Sequence, residues 1–325
     1  MLKKDNKKYI KNIHFKTAEQ FLKSISYGGG LYNSFGNSFV FRGQSSDKYL
    51  LLPSALRYNM YIDSNPNRPK NEENALFEKS EYGQIEAEAY QLFRFYKNCD
   101  NRNLYVPNEQ RLRESFPFNI DFNILLTPEK WITKEYHDLA ALAQHHGIPT
   151  RLLDWTLDIN VALYFASSSV VKNKETKMAS SENSNMEIWA LDTSIILADK
   201  KMAIPLKFVR PRYFLNDNLA AQKGLFTYWQ VDKPLKIDEN GQTTPDLSII
   251  RNTDPLDKLI VDYLENNQAE EKVYLYHITL PSCTAPDIYK YAKKNHCDAS
   301  FLFPGYDGVV RCIEEDLYVE RLKGR

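Results

Sequence analysis

The sequence carries no excess charge of either sign. Lysine plus arginine and aspartate plus glutamate both number 42, so nothing global draws the chain to nucleic acid or an anionic membrane, and any such affinity has to come from a local patch. Cysteine is scarce. Cys99, Cys283, Cys297 and Cys312 lie far apart without C-x-x-C spacing, which argues against a disulfide framework or a zinc site and suits reduced thiols in a cytoplasm. Long apolar runs are missing as well. No stretch approaches the ~18 residues of a membrane span, and no apolar segment follows the basic start MLKKDNKKYIKN, so neither insertion nor secretion is expected. HExxH, GxSxG and Walker sequences do not occur, and no internal repeat is evident. The adjacent His145 and His146 lack the i, i+4 spacing that turns two imidazoles toward one ion, so no metal is expected.

What is present is ample material for a core: 43% of the 325 residues are apolar and 13% aromatic. The expectation is one domain over residues 1–325, its core at about 17–315, with insertions near 60–75, 100–130, 172–185 and 232–254. The insertions are the polar, proline-bearing or apolar-poor stretches, of which KNKETKMASSENSN at 172–185 is the most exposed in character. Thr17-Ala18-Glu19-Gln20 has the form of a capping box and opens a short amphipathic helix that stops at Gly28-Gly29-Gly30. Leu76 to Tyr96 has helical spacing throughout, residues 255–269 and 286–295 read as helices, and FLFPGYDGVV at 301–310 reads as a strand-like run into a turn. Strands are expected near 38–42, 150–155, 186–191, 207–212, 225–229 and 273–280, which makes the fold class α+β with a mostly antiparallel central sheet and helices around it.

The stretch 137–169, HDLAALAQHHGIPTRLLDWTLDINVALYFASSS, organises the rest. A helical stripe of Leu139, Leu142 and Ala143 ends at His146-Gly147, Pro149 blocks its continuation, a short polar-tipped strand follows, and Thr156 or Asp158 caps a second, mostly apolar helix. Polar groups packed between two apolar helices cost free energy unless satisfied, which marks Arg151, Asp154 and Thr156 as candidate site residues. Arg42 ends an expected core strand, Ser38–Gly43, on which alternation puts Phe39 and Phe41 on one face and Val40 and Arg42 on the other. An arginine so placed binds phosphate or carboxylate in bidentate fashion, with Gly43 allowing close approach to the backbone; the alternative is a structural pair with Asp154. His146 is either a helix-end residue bonding a terminal carbonyl or a general base. PLKFVRPRYF at 205–214 interleaves Lys207, Arg210 and Arg212 with aromatics, as in a nucleotide or single-strand platform or, equally, a solvated edge strand.

Five pieces in order resemble the FRG domain, a bacterial and phage-associated family named for its Phe-Arg-Gly tripeptide: FVFRGQ at 39–44, LPSALR at 52–57, QHHGIPTRLLDWT with VALYFA at 144–166, NDNLAAQKGLF at 216–226 and LFPGYDG at 302–308. That resemblance brings no assigned reaction. More distantly, FVFRG, then TRLLDWT with VALYFA, then MEIWAL at 186–191 are similar in order to the strands of arginine-type ADP-ribosyltransferases. This second resemblance implies NAD as substrate. Arg42 would hold the diphosphate or ribose, Gly43 would face the nicotinamide amide, Thr156 would stand in the serine-threonine-serine segment, and Asp154 would orient Arg42 or a ribose hydroxyl. Arg151 joins the catalytic set, and Gln44, His146, Thr150 and Gln222 join the cofactor-binding set. The Glu-x-Glu position of the transferases falls at Gln222-Lys223-Gly224, so no glutamate stands there, and Asp298 and Asp307 are the substitutes to examine. The expected function is an ADP-ribosyltransferase-like or NAD glycohydrolase enzyme acting on a protein or nucleic-acid acceptor, in the role of a toxin or antiphage effector. The alternatives are a silent nucleotide or nucleic-acid sensor and an interaction protein whose polar cluster only holds the core together.

Overall fold

The computed structural model describes residues 8–57, 72–115, 127–175, 184–198, 203–214 and 216–323. Seven strands build the main sheet: β1 (Ile10–His14), β2 (Phe39–Gln44), β3 (Leu153–Thr156), β4 (Asn185–Asp192), β5 (Leu206–Val209), β6 (Gly224–Trp229) and β9 (Leu275–Pro281). β7 (Leu235–Ile237) and β8 (Thr243–Pro245) form a separate two-stranded ribbon. The sheet order is β1-β9-β4-β2-β3-β6-β5, with β1 and β9 parallel and every other pair antiparallel. The expected mixed fold with a mostly antiparallel sheet is thus present. The longer helices used below are α1 (Ala18–Ile25), α2 (Glu81–Asn101), α3 (Lys134–His145), α4 (Ile159–Glu175), α5 (Leu256–Asn266), α6 (Ala285–Lys294) and α7 (Tyr306–Lys323).

Two helical layers share one face of this sheet. Strand register puts Phe41 beside Thr156, and Asp154 beside Phe226, so all four side chains belong to the same face. On the β2, β4 and β9 half of that face, Phe41, Ile188 and Ile278 pack with Val161, Leu163 and Ala166 of α4 and Ile288 and Ala292 of α6. On the β3, β6 and β5 half, Leu152, Phe226 and Val209 pack with Ile85 and Leu92 of α2 and Leu139 and Ala143 of α3. The opposite face is closed by one cluster in which Val40, Leu153, Trp155 and Leu191 meet Ile260 and Leu264 of α5. A furrow is therefore left between the two layers, over the β2–β3 joint.

Several elements differ from the sequence reading, each for a physical reason. The expected helix 76–96 is two helices, Glu72–Lys79 and α2, broken at Ser80, which bridges Ile250 and caps α2 through the Gly83 N–H. The strand expected at 150–155 covers only Leu153–Thr156, because Thr150 bonds Ser54 and its own neighbours instead of a partner strand. β5 stops at Val209 and does not reach 212, since its register with β6 ends at Phe226. The run at 301–310 is helical, with Pro304-Gly305 in the turn before α7. β1 was hidden in a polar sequence, IKNIH, and is held by five parallel partners on β9. The polar stretch 232–254 holds the β7–β8 ribbon. Of the expected insertions, residues 60–71, 116–126 and 176–183 lie outside the described residues, whereas α4 runs on to Glu175 and β4 begins at Asn185.

Candidate functional site

The site exists because the sheet comes apart locally. β2 pairs with β4 over six residues but with β3 at the single pair Phe41 and Thr156. Continuing that ladder would set Gly43 against Asp154, and instead the Arg42 guanidinium occupies the gap: Nη1 donates to the Asp154 carbonyl oxygen at 2.9 Å and to Asp154 Oδ2 at 3.3 Å. Arginine, with five donors in a planar fork, serves the backbone acceptor that the ladder leaves open as well as the carboxylate. Gly43 is required here by packing. A Cβ would stand 1.8 Å from the Ala162 carbonyl oxygen and 2.9 Å from the Ala166 nitrogen, so α4 lies directly on β2.

The furrow is a cleft of about 910 Å³, a size suited to a small-molecule ligand. One side is formed by α3 through Ala141, Gln144 and His145, and another by α4 through Val161, Ala162, Phe165 and Ser169. The loop after β2 adds Lys48 and Arg57, and Phe303 closes in from the segment before α7. Three cationic side chains, Arg42, Lys48 and Arg57, face a single carboxylate, Asp154, among the described lining residues. Burial lowers the Arg42 pKa, the Asp154 carboxylate offsets this in part, and Arg57 adds to the lowering, so an anionic ligand would relieve charge here. The aromatic part is ordered: Phe165 and Phe303 meet edge to face at 6.2 Å, and the Arg311 guanidinium sits 4.4 Å from the Phe303 ring centre.

Asp154 is held from two sides and remains 58% exposed. Gln144 Nε2 donates to its Oδ1 at 2.6 Å while Arg42 takes Oδ2. The Gln144 amide is itself oriented, because the Thr150 hydroxyl accepts from the Leu152 N–H and donates to Gln144 Oε1. His145 bonds Asn218 at 2.6 Å, and partial burial, with His146 beside it, lowers its pKa.

Of the residues singled out in the sequence, Arg42, Gly43, Gln44, Asp154, Thr156 and Gln222 line the cleft together. The Thr156 hydroxyl donates to the Gln222 carbonyl at 2.7 Å and accepts from the Asp158 N–H, so it ties β3 to the turn before β6. Arg151 is elsewhere. It is buried with Nε 2.7 Å from Glu88 and Nη2 3.1 Å from Glu81, and Glu88 also accepts from Trp131 Nε1 and Gln84 Nε2. Burial works against the Arg151 charge, yet the Glu88 and Glu81 carboxylates outweigh it and hold its pKa above the usual arginine value. Arg151 is a core ion pair beneath α2. Thr150 acts only through Gln144, and the exposed His146 stacks on Phe95 at 6.3 Å outside the cleft, where His145 stands in its place. Asp298 caps the Ala299–Leu302 helix through the Phe301 N–H, and exposed Asp307 lies in the first turn of α7; neither lines the cleft. Sequence reasoning missed Gln144 and His145, which continue the i, i+3, i+4 edge begun by Ala141, and also Lys48, Arg57, Phe165 and Phe303. On β5, the edge strand, Lys207 is half-buried; beyond it Arg210 lies over the Tyr213 ring at 6.0 Å.

No helix of the described residues is long and apolar enough to cross a membrane, and no cluster of three or more metal-ligating side chains occurs among them. No curated protein and no solved structure matches the chain. Residues 37–175 match the FRG domain, a span that supplies Arg42, Gln44, Gln144 and Asp154, while Gln222 and Phe303 come from beyond it. By that match, the chain carries an FRG domain over residues 37–175.

Proposed function

We propose that the cleft takes a phosphate-bearing nucleotide, NAD in the ADP-ribosyltransferase-like reading, and that the protein is a divergent NAD-consuming enzyme. The observation that carries this is the Arg42 guanidinium, set in the split between β2 and β3 with Arg57 and Lys48 lining the same cavity. Phosphates suit that cationic part, and a planar base suits the Phe165–Phe303 part. Breaking the nicotinamide–ribose bond sends the electron pair out with nicotinamide and leaves oxocarbenium-like charge on the ribose. The half-exposed Asp154 carboxylate is the group that would stabilise this charge and accept the proton of an attacking water or acceptor hydroxyl. Consumption of NAD suits a toxin or an antiphage effector, and a cytoplasmic setting would supply the substrate.

A second reading is favoured by one observation. Asp154 is the sole carboxylate among the described lining residues, and it is engaged by both Arg42 and Gln144. A nucleotide sensor would need no free carboxylate.

Calorimetry with NAD and ADP-ribose, together with nicotinamide release, separates the readings. Arg42→Ala is expected to weaken binding by about tenfold or more, and Asp154→Asn to retain binding and lose release. Binding without release in the native protein selects the sensor. Neither binding nor release, with variants shown to be folded by thermal melting, removes the nucleotide reading.

A further inference from the structure

A continuous chain of hydrogen-bonded side chains crosses four strands and ends in the cleft. It begins on β1, where Asn12 Oδ1 lies 3.2 Å from His277 Nδ1 on β9. His277 Nε2 lies 2.6 Å from Glu187 Oε2 on β4. Gln44 Nε2, on β2, donates to Glu187 Oε1, and Gln44 Oε1 accepts from Arg42 Nε at 3.0 Å. Arg42 Nη1 then reaches Asp154. Register explains the continuity: Asn12 with His277, His277 with Trp189, Trp189 with Arg42, and Glu187 with Gln44 are cross-strand partners and so share one face.

Glu187 is 1% exposed, and no lysine or arginine ion pair to it occurs among the described residues. Burying a carboxylate this deeply is costly, and apolar side chains serve the adjoining core on the same strands. The chain's geometry shows what the carboxylate does. A side-chain amide flips freely unless a neighbour dictates which end donates. The Glu187 carboxylate presents oxygen acceptors to Gln44, so Gln44 turns Nε2 to it, and Gln44 Oε1 then faces Arg42 Nε. Tyr49 reinforces this orientation, its carbonyl accepting from the same Nε2 at 3.1 Å. On the other side, His277 is held flat against Trp189 at 4.1 Å between ring centres.

We infer that Glu187 is a positioning residue for the cleft: it orients the Gln44 amide, and Gln44 in turn holds Arg42 by its Nε edge, leaving the Nη groups for Asp154 and an incoming anion. This rests on the reading of the cleft as a nucleotide site and extends it to a residue that touches no ligand. His277 supports Glu187 from the partly exposed side of the sheet.

The test uses the full chain with two readouts: solvent exchange of the Arg42 Nε–H in arginine-labelled protein by NMR, and calorimetric affinity for ADP-ribose. Glu187→Ala is expected to speed the exchange and to weaken binding by about tenfold. Gln44→Glu alone sets two carboxylates against each other and does the same. Combining it with Glu187→Gln lets residue 187 donate to the carboxylate at 44 and is expected to recover both readouts in part, since that carboxylate cannot donate to the Tyr49 carbonyl. Native exchange and affinity in Glu187→Ala would overturn the inference. If that variant does not fold, the swapped pair decides: recovery relative to Gln44→Glu supports the inference, and no recovery removes it. If the native protein binds no nucleotide while the exchange responds as expected, the functional reading fails and the positioning of Arg42 by Glu187 stands.

Discussion

Arg42 and Arg151 carry the same side chain into opposite situations. Arg151 is 3% exposed and enclosed by two carboxylates, so its removal leaves Glu81 and Glu88 buried without their cation. Arg151→Met is therefore expected to destabilise the fold by about 3–5 kcal/mol, read as a lower urea midpoint. A second change, Glu88→Gln, should recover part of the loss by removing one uncompensated charge. Arg42→Ala should cost only about 1 kcal/mol, because Asp154 is more than half exposed and water replaces the lost donor. Similar losses in the two arginine variants would show that the Arg42 contact is also a core pair. The partners of Arg151 were not legible in the sequence. Glu81, Gln84 and Glu88 form an i, i+3, i+7 stripe on α2, and such a polar stripe is normally a solvated helix face. Only the packing of α2 over the start of β3 turns it inward.

At the scale of elements, the joint between α4 and β2 is the most constrained contact in the site. Gly43→Ala places a methyl carbon against the backbone of α4 at Ala162 and Ala166, where neither neighbour can rotate away. The expected cost is about 3 kcal/mol, seen as a lower melting temperature, and α4 should lift and widen the cleft. A variant with native melting and native ligand affinity would contradict this packing role. The sequence marked the strand, but it read Gly43 as room for a ligand, and the backbone of α4 fills the space where its Cβ would stand. The reason for the glycine, a helix backbone pressed on it, depends on α4, which lies more than a hundred residues further along the chain. The last helix was misread for a local reason. Val309 and Val310 are β-branched and follow Pro304-Gly305, a turn signal that here precedes the helix instead of ending a strand. The basic residues Arg210 and Arg212 lie past the end of edge strand β5, so the patch read from 205–214 is only partly on the sheet.

For the whole molecule, the sheet topology sets what can fold alone. The family match at 37–175 includes β2 and β3, yet β2 draws six residue pairs from β4 and β3 four from β6, against one pair between themselves. A fragment of residues 37–175 lacks β4, β6 and β9 and would expose both edges of its strands. It is expected to lack cooperative unfolding and dispersed NMR signals, whereas the full chain should unfold in a single transition. A folded, cooperative fragment would show that the matched span is self-sufficient.

The sequence alone determined the elements whose signals are local. Strand-forming runs marked β2, β4, β6 and β9, a capping threonine opened α1 with its hydroxyl on the Gln20 N–H, and helical spacing found α3, α4, α5 and α6. It also brought forward Arg42 and Asp154, through a strand-end arginine and a polar strand tip between apolar helices. The tertiary structure decided the rest: that these two residues meet across 112 positions, that Arg151 joins the core instead, that His145 and not His146 faces the cleft, and that Glu187 underlies Gln44. The reason is physical. Periodicity records which face of an element is apolar, and each residue carries that information in its own neighbourhood. Which polar group meets which depends on strand order and on where the sheet splits, and those are settled only when distant segments pack together.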